Sequence, residues 1–205
     1  MRDGFYRMVT LTLLWLSLPA RAEAQTSNTL KVGDVRPELN FNLLDGRRGP
    51  SWNDLEGKIV VIDFWATWCA PCIKSFQKFN ELELKFRGQP IKFYSIAYEP
   101  LERVSPFLRK HPLRTIVGID NDLATFKSFR AWGVPSVYIF DRKGMVISSI
   151  LAADLTLEVI SEAVAGQIPK VEQNKGWNDP KGAEEYFRAT LNSRKSTKTV
   201  PKDKH

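Results

Sequence analysis

Apolar residues recur along the chain in two rhythms, one of two and one near three and a half, and these divide it into strands and helices. Leu39, Phe41 and Leu43 alternate with polar residues, Asp45 and Gly46 provide turn chemistry, and the stretch from Pro50 to Trp52 offers a return strand. This predicts an N-terminal β-hairpin. From Ile59 to Trp65 the run is almost wholly apolar and rich in branched side chains, the form taken by a central strand covered on both faces. A single acid, Asp63, interrupts it.

Beyond Cys72 the rhythm changes. Ile73, Phe76, Phe79, Leu82 and Phe86 fall at helical spacing and Gly88 ends the run, so a strand gives way to a helix at the cysteines. A second inner strand is predicted from Ile91 to Ala97. A helical segment follows from Pro100 to Pro112, where Leu101, Val104 and Leu108 share a face. Then come a short strand at Thr115 to Ile119 and a helix at about 121–130. Val137 to Phe140 and Met145 to Ile150 flank the turn residues Asp141 to Gly144 and read as a hairpin, with a closing helix at about 155–165. The expected fold is α/β: a mixed sheet with helices on both faces, an N-terminal β-hairpin extension and a helical insertion near 100–112.

The chain ends depart from this pattern. Arg2 and Arg7 precede an apolar run from Met8 to Leu18, and small residues stand at 20, 22 and 24, the layout of a secretory signal peptide. The run is shorter than the roughly 20 residues that a span needs, which favours cleavage after Ala22 or Ala24 over a retained N-terminal anchor. The division expected is a signal peptide over 1–24, a polar linker over 25–32, a folded domain over 33–167 and a polar extension over 168–205. A short helix near 180–192 is expected in that extension. Export to the periplasm or another extracytoplasmic space follows from the first segment.

At 205 residues, 43% hydrophobic and 26% charged, the chain is long enough for one ordinary core and too short to require two. The net charge of +7 would admit a nucleic-acid partner. However, Lys and Arg are spread along the chain and are densest at its end, so the charge reads as solubility and no nucleic-acid partner is expected.

The two cysteines, Cys69 and Cys72, close too small a loop to staple a fold, and such a pair is suited to opening and closing. A thiol reacts as its thiolate, and the start of a helix favours negative charge through unpaired N–H groups and the helix dipole. Cys69 is therefore expected to be an exposed nucleophile, and Cys72, one turn on, a more buried resolving thiol. Pro71 falls in the first turn, where its missing N–H costs little.

A c-type haem site would need His after the second cysteine, where Ile73 stands. A zinc site would need more ligands than two cysteines and the separate His111 and His205, so neither metal nor cofactor is expected. A peroxidase of peroxiredoxin type would want Thr or Ser where Ala66 precedes Cys69 by three.

The stretch from Val61 to Cys72, with Phe64-Trp-Ala-Thr-Trp-Cys69 at its centre, resembles the active-site strand and turn of the thioredoxin superfamily. With Leu55 to Lys58 before it and the extra segment at 100–112, the chain is most similar to the exported TlpA/ResA-like thiol-disulfide oxidoreductases over roughly Val32 to Gln167. Gly133 to Ser136 reads by itself as a turn before a strand. The resemblance implies a cis-proline at Pro135 facing the cysteines, with Val134 offering its backbone to an extended substrate segment.

Asp63 reads either as an acid at an exposed strand edge or as a buried acid that takes and returns the proton of Cys72, a role that thioredoxins give to the matching position. Many TlpA/ResA-like proteins have a neutral residue there and use a glutamate after the next strand, a place that Glu99 matches. Both acids are candidates. Trp65 is expected in the core, Trp68 at a contact surface beside Cys69, Trp132 over the sheet edge and His111 at the surface.

The implied function is reduction of disulfides in exported proteins, an apocytochrome or another metal-site protein among them, by a monomer that draws electrons from a membrane thiol carrier. Two alternatives remain: the peroxidase, and a thioredoxin-fold metallochaperone. Copper-delivering relatives of the latter kind carry three residues between their cysteines and a partner histidine, neither of which this chain has.

Overall fold

The computed structural model describes residues 29–131 and 133–173. The segment expected to be a signal peptide, the helix expected near 180–192 and Trp132 lie outside them. Six strands form one sheet in the order β1-β4-β3-β2-β5-β6. They are β1 (Asn42–Leu43), β2 (Ile59–Trp65), β3 (Ile91–Ala97), β4 (Ile116–Ile119), β5 (Ser136–Phe140) and β6 (Val146–Ile150). β2, β3 and β4 run parallel, while β1, β5 and β6 run against their neighbours. The helices are α1 (Ala70–Lys85), α2 (Leu101–Lys110), α3 (Ala124–Ser128) and α4 (Leu157–Val164).

Every residue of β2 is buried, as its unbroken apolar run predicts. Because side chains alternate across a strand, Val60, Ile62 and Phe64 enter one apolar cluster, with Val104 of α2 and Phe126 of α3. Ile59 and Val61 enter the other, with Phe79 and Leu82 of α1 and Val159, Ile160 and Ala163 of α4. Helices therefore cover both faces. By the same alternation Asp63 follows Ile59 and Val61 onto the α1 and α4 side.

Two boundaries differ from expectation. The return strand at Pro50 to Trp52 does not form. The Asp45 carboxylate accepts from the Arg47 amide and guanidinium, and Leu43 N donates to Arg47 O, so the chain turns earlier. What remains of the hairpin is β1 and a bridge from Asn42 to Arg48. Trp52 instead leads into a 3-10 turn (Asn53–Leu55) and packs edge-on against Phe140, ring centres 4.9 Å apart.

The helix expected at 121–130 shrinks to α3. Leu123 has φ of 61° and Arg130 φ of 52°, left-handed values that a helix does not continue through. Asp120 accepts the Phe126 amide at 2.8 Å, and Asp122 accepts that of Ala124, fixing the start.

Residues 168–173 lie against the domain: Pro169 is buried, Val171 packs on the α1 and α4 cluster, and the Gln173 side chain accepts the Ser149 amide of β6 at 2.7 Å. No helix among the described residues is long and apolar enough to cross a membrane.

Candidate active site

The site is built where β2 ends. Cys69 N donates to Ala66 O at 3.1 Å, closing a turn over residues 66–69, and Cys69 then serves as N-cap of α1. Its Sγ accepts the Cys72 amide at 3.2 Å and is joined to Cys72 Sγ in a disulfide. Sulfur thus occupies the place that a capping oxygen usually takes, where N–H groups and the helix dipole favour an anion. Pro71 is in the first turn, where no intrahelical donor is lost.

One expectation is corrected. Cys69 was expected to be exposed, yet both cysteines are 2% exposed. In the disulfide the Cys69 sulfur turns inward towards Cys72, into the apolar cluster that also contains Trp65, Ala66 and Phe76. The side chain left at the surface is that of Trp68, 55% exposed, whose indole N–H donates to the Tyr98 hydroxyl at 3.1 Å. Trp65 is fully buried, edge-on to Phe76 at 5.0 Å.

Asp63 is buried in the sheet, level with Ser95 of β3 and Val137 of β5, so it does not stand at an exposed edge. Burial pushes its carboxyl up to about 8, with a hydrogen bond from Ser95 acting against that rise. Ser95 in turn accepts the Thr115 hydroxyl at 2.8 Å, while Oδ1 of Asp63 has no hydrogen-bond partner among the described residues.

Glu99 follows β3, whose last residue pairs with the last residue of β2, so the loops after the two strands are neighbours. Its carboxylate is buried, accepts both the backbone N–H and the hydroxyl of Thr67, and lies 3.4 Å from the Arg103 guanidinium.

On the other side of β2, the Val134–Pro135 peptide is cis, and the Ser136 hydroxyl donates across it to Gly133 O at 2.7 Å. Ser136 pairs with Phe64, which sets Pro135 beside the end of β2, and Val134 packs on the cluster holding both cysteines. The structure therefore brings Cys69, Cys72, Trp68, Glu99, Val134 and Pro135 to one end of the sheet, with Asp63 in the strand behind them. Among the described residues no cluster of three or more His, Cys, Asp or Glu could hold a metal ion.

Thr67, Ser95, Tyr98 and Arg103 escape sequence reading. Each gains its place through the register between β2 and β3 or across the turn that follows, and none carries a local signal.

Residues 32–149, more than half of the chain, match the AhpC/TSA family. The chain belongs to that family. Two relatives are each a thiol-disulfide oxidoreductase ResA. The one from Bacillus cereus is 26% identical over 69% of this chain and 79% of its own length, and the one from Geobacillus thermodenitrificans is 28% identical over 76% and 91%. A thiol:disulfide interchange protein of the thioredoxin family from Chlorobium tepidum superposes with a TM-score of 0.56 at 21% identity, covering 66% of this chain and 99% of that one. The fold of this AhpC/TSA member is thioredoxin-like, and with its redox-capable cysteine pair the protein is a thiol-disulfide oxidoreductase.

Proposed function

We propose that this AhpC/TSA protein is exported and works as a reductase on disulfides of other exported proteins, with Cys69 as nucleophile. The observation that carries the reading is the placement of Cys69 as the sulfur N-cap of α1, bonded to the Cys72 amide and flanked by the exposed Trp68. Export rests on the signal-like layout of residues 1–24.

In the reduced protein the Cys69 thiolate attacks one sulfur of the substrate disulfide. The substrate S–S bond breaks, a mixed disulfide forms and the departing substrate thiolate takes a proton from water. Cys72 then passes its proton to the Asp63 carboxylate and attacks Cys69 Sγ, restoring the Cys69–Cys72 disulfide and releasing the second substrate thiolate, which takes up a proton as Asp63 gives one back to solvent. A buried acid raised to about 8 is held close to the range in which a thiol exchanges its proton. Val134 and Pro135 offer backbone to an extended substrate segment, and Trp68 offers an apolar face. A membrane thiol carrier returns two electrons to the pair. An apocytochrome or other metal-site protein with a disulfide fits as substrate, and the protein acts as a monomer.

Two measurements test this reading: the reduction potential of the pair, and turnover of a protein disulfide by the Cys69→Ser variant. A potential near the reducing end of the thioredoxin range, about −270 mV, with loss of turnover in the variant supports it. A potential near −120 mV would make the protein a disulfide donor. Turnover that survives Cys69→Ser would remove Cys69 as the nucleophile.

A further inference from the structure

We infer that Glu99 is a positioning residue: its carboxylate clamps the turn over residues 66–69 through Thr67, and so holds the Cys69 sulfur at the N-terminus of α1. The inference rests on the reading of Cys69 as nucleophile and assigns Glu99 a task other than carrying the proton of Cys72.

The geometry is that of a brace. Glu99 and Tyr98 stand side by side after β3 and take hold of Thr67 and Trp68, the two residues immediately before Cys69. Oε2 accepts the Thr67 backbone N–H, Oε1 accepts the Thr67 hydroxyl at 2.8 Å, and the Tyr98 hydroxyl accepts the Trp68 indole N–H. Arg103, one turn further on in α2, approaches Oε1 from the solvent side at 3.4 Å.

Among the described residues the turn has few other fastenings. Its own internal bond is that from Cys69 N to Ala66 O, and the Cys69 φ and ψ of −82° and 93° that make it an N-cap are set where this turn meets the helix. Both oxygens of Glu99 are thus taken by donors from the turn and from α2, in a group only 3% exposed. Removing these acceptors would leave the Thr67 amide and hydroxyl without their partner beside the nucleophile, a costly arrangement that the turn would relieve by moving. Cys69 Sγ would then lose its alignment on the Cys72 amide and the helix dipole.

Positioning and proton transfer make opposite forecasts for one pair of substitutions. In Glu99→Gln the side-chain carbonyl still accepts the Thr67 amide, and the NH2 group donates to the Thr67 hydroxyl oxygen. In Glu99→Ala both contacts vanish. The readout is the pH dependence of Cys69 alkylation in the reduced protein, measured with iodoacetamide, together with the rate of disulfide reduction at pH 7.

The clamp predicts that Glu99→Ala moves the alkylation midpoint upward, towards the free-thiol value of about 8.5, and slows reduction about tenfold. Glu99→Gln rescues the rate to within about threefold of the parent and leaves the midpoint within about half a unit. Equal losses in the two variants would overturn the proposal in favour of proton handling, and an unaffected Glu99→Ala would overturn it outright. If Glu99→Ala does not fold, Thr67→Val decides. That variant keeps the backbone bond and loses the hydroxyl, so a smaller upward shift supports the clamp and no shift contradicts it. Cys69→Ser measured alongside separates the two failures, because retained turnover there defeats the nucleophile assignment itself.

Discussion

An ionised Asp63 has to be accommodated inside the sheet, so its effect on stability depends on pH in a definite direction. Its folded value of about 8 lies above the ordinary 3.8, and the folded protein therefore holds a proton that the unfolded chain gives up between these limits. The contribution from Asp63 is fully present below about pH 4, is lost progressively up to about pH 8 and is flat beyond. Asp63→Asn removes this loss. The variant is expected to melt higher than the parent at pH 8, with the gap closing towards pH 4. Asp120, which burial raises to about 7 with the same sign, is present in both proteins and largely cancels in the comparison. The same variant should release mixed disulfides at least tenfold more slowly, since a positioned general base contributes about a hundredfold or more. Equal release rates would remove Asp63 from the proton path. Sequence shows Asp63 as a charge inside an apolar run and shows the cysteines by their spacing. It does not show Ser95, an ordinary polar residue that meets Asp63 only through strand register, or Thr115, whose hydroxyl bonds to Ser95 in turn.

Long apolar runs and clear periodicity are legible because burial dictates them. That is why β2, β3 and the hairpin of β5 and β6 stand within a residue or two of their sequence-based bounds, whereas α1 begins at Ala70, ahead of its first apolar position at Ile73. Short elements are set by contacts that periodicity does not encode. α3 is bounded by two left-handed residues and the carboxylates of Asp120 and Asp122, and β1 by the turn at Asp45 and by pairing with β4.

The union of β1 and β4 is tight. A methyl group on Gly118 would stand 2.6 Å from the Phe41 ring and 3.1 Å from Ile96. Gly118→Ala is therefore expected to lower unfolding free energy in urea by about 1–3 kcal/mol through overpacking, and an unchanged midpoint would contradict this contact. α4 supplies a second check. Thr156 accepts the Val159 amide as N-cap at 3.2 Å, so Thr156→Ala should cost about 1 kcal/mol.

Across the whole molecule, the site gathers at one end of the sheet while the outer edge of β6 is guarded by both flanks of the described chain. Gly33 N donates to Val146 O, Val146 N donates to Asp34 O, and Gln173 takes the Ser149 amide. An uncovered edge strand invites pairing with another molecule. Truncation after Gln167 is expected to lower the melting temperature by several degrees and to promote self-association in light scattering, while the folded protein keeps its rate of thiol-disulfide exchange. Full stability in the truncated protein would show that residues 168–173 guard nothing.

The central claim is that Cys69 attacks and Cys72 resolves, and trapping tests it most directly. Reduced Cys72→Ser protein, mixed with a disulfide-containing protein substrate and read by intact mass, should accumulate a covalent adduct that dithiothreitol removes and that maps to Cys69. Absence of an adduct, or an equal adduct through Cys72 when Cys69 is the residue replaced, would contradict the account.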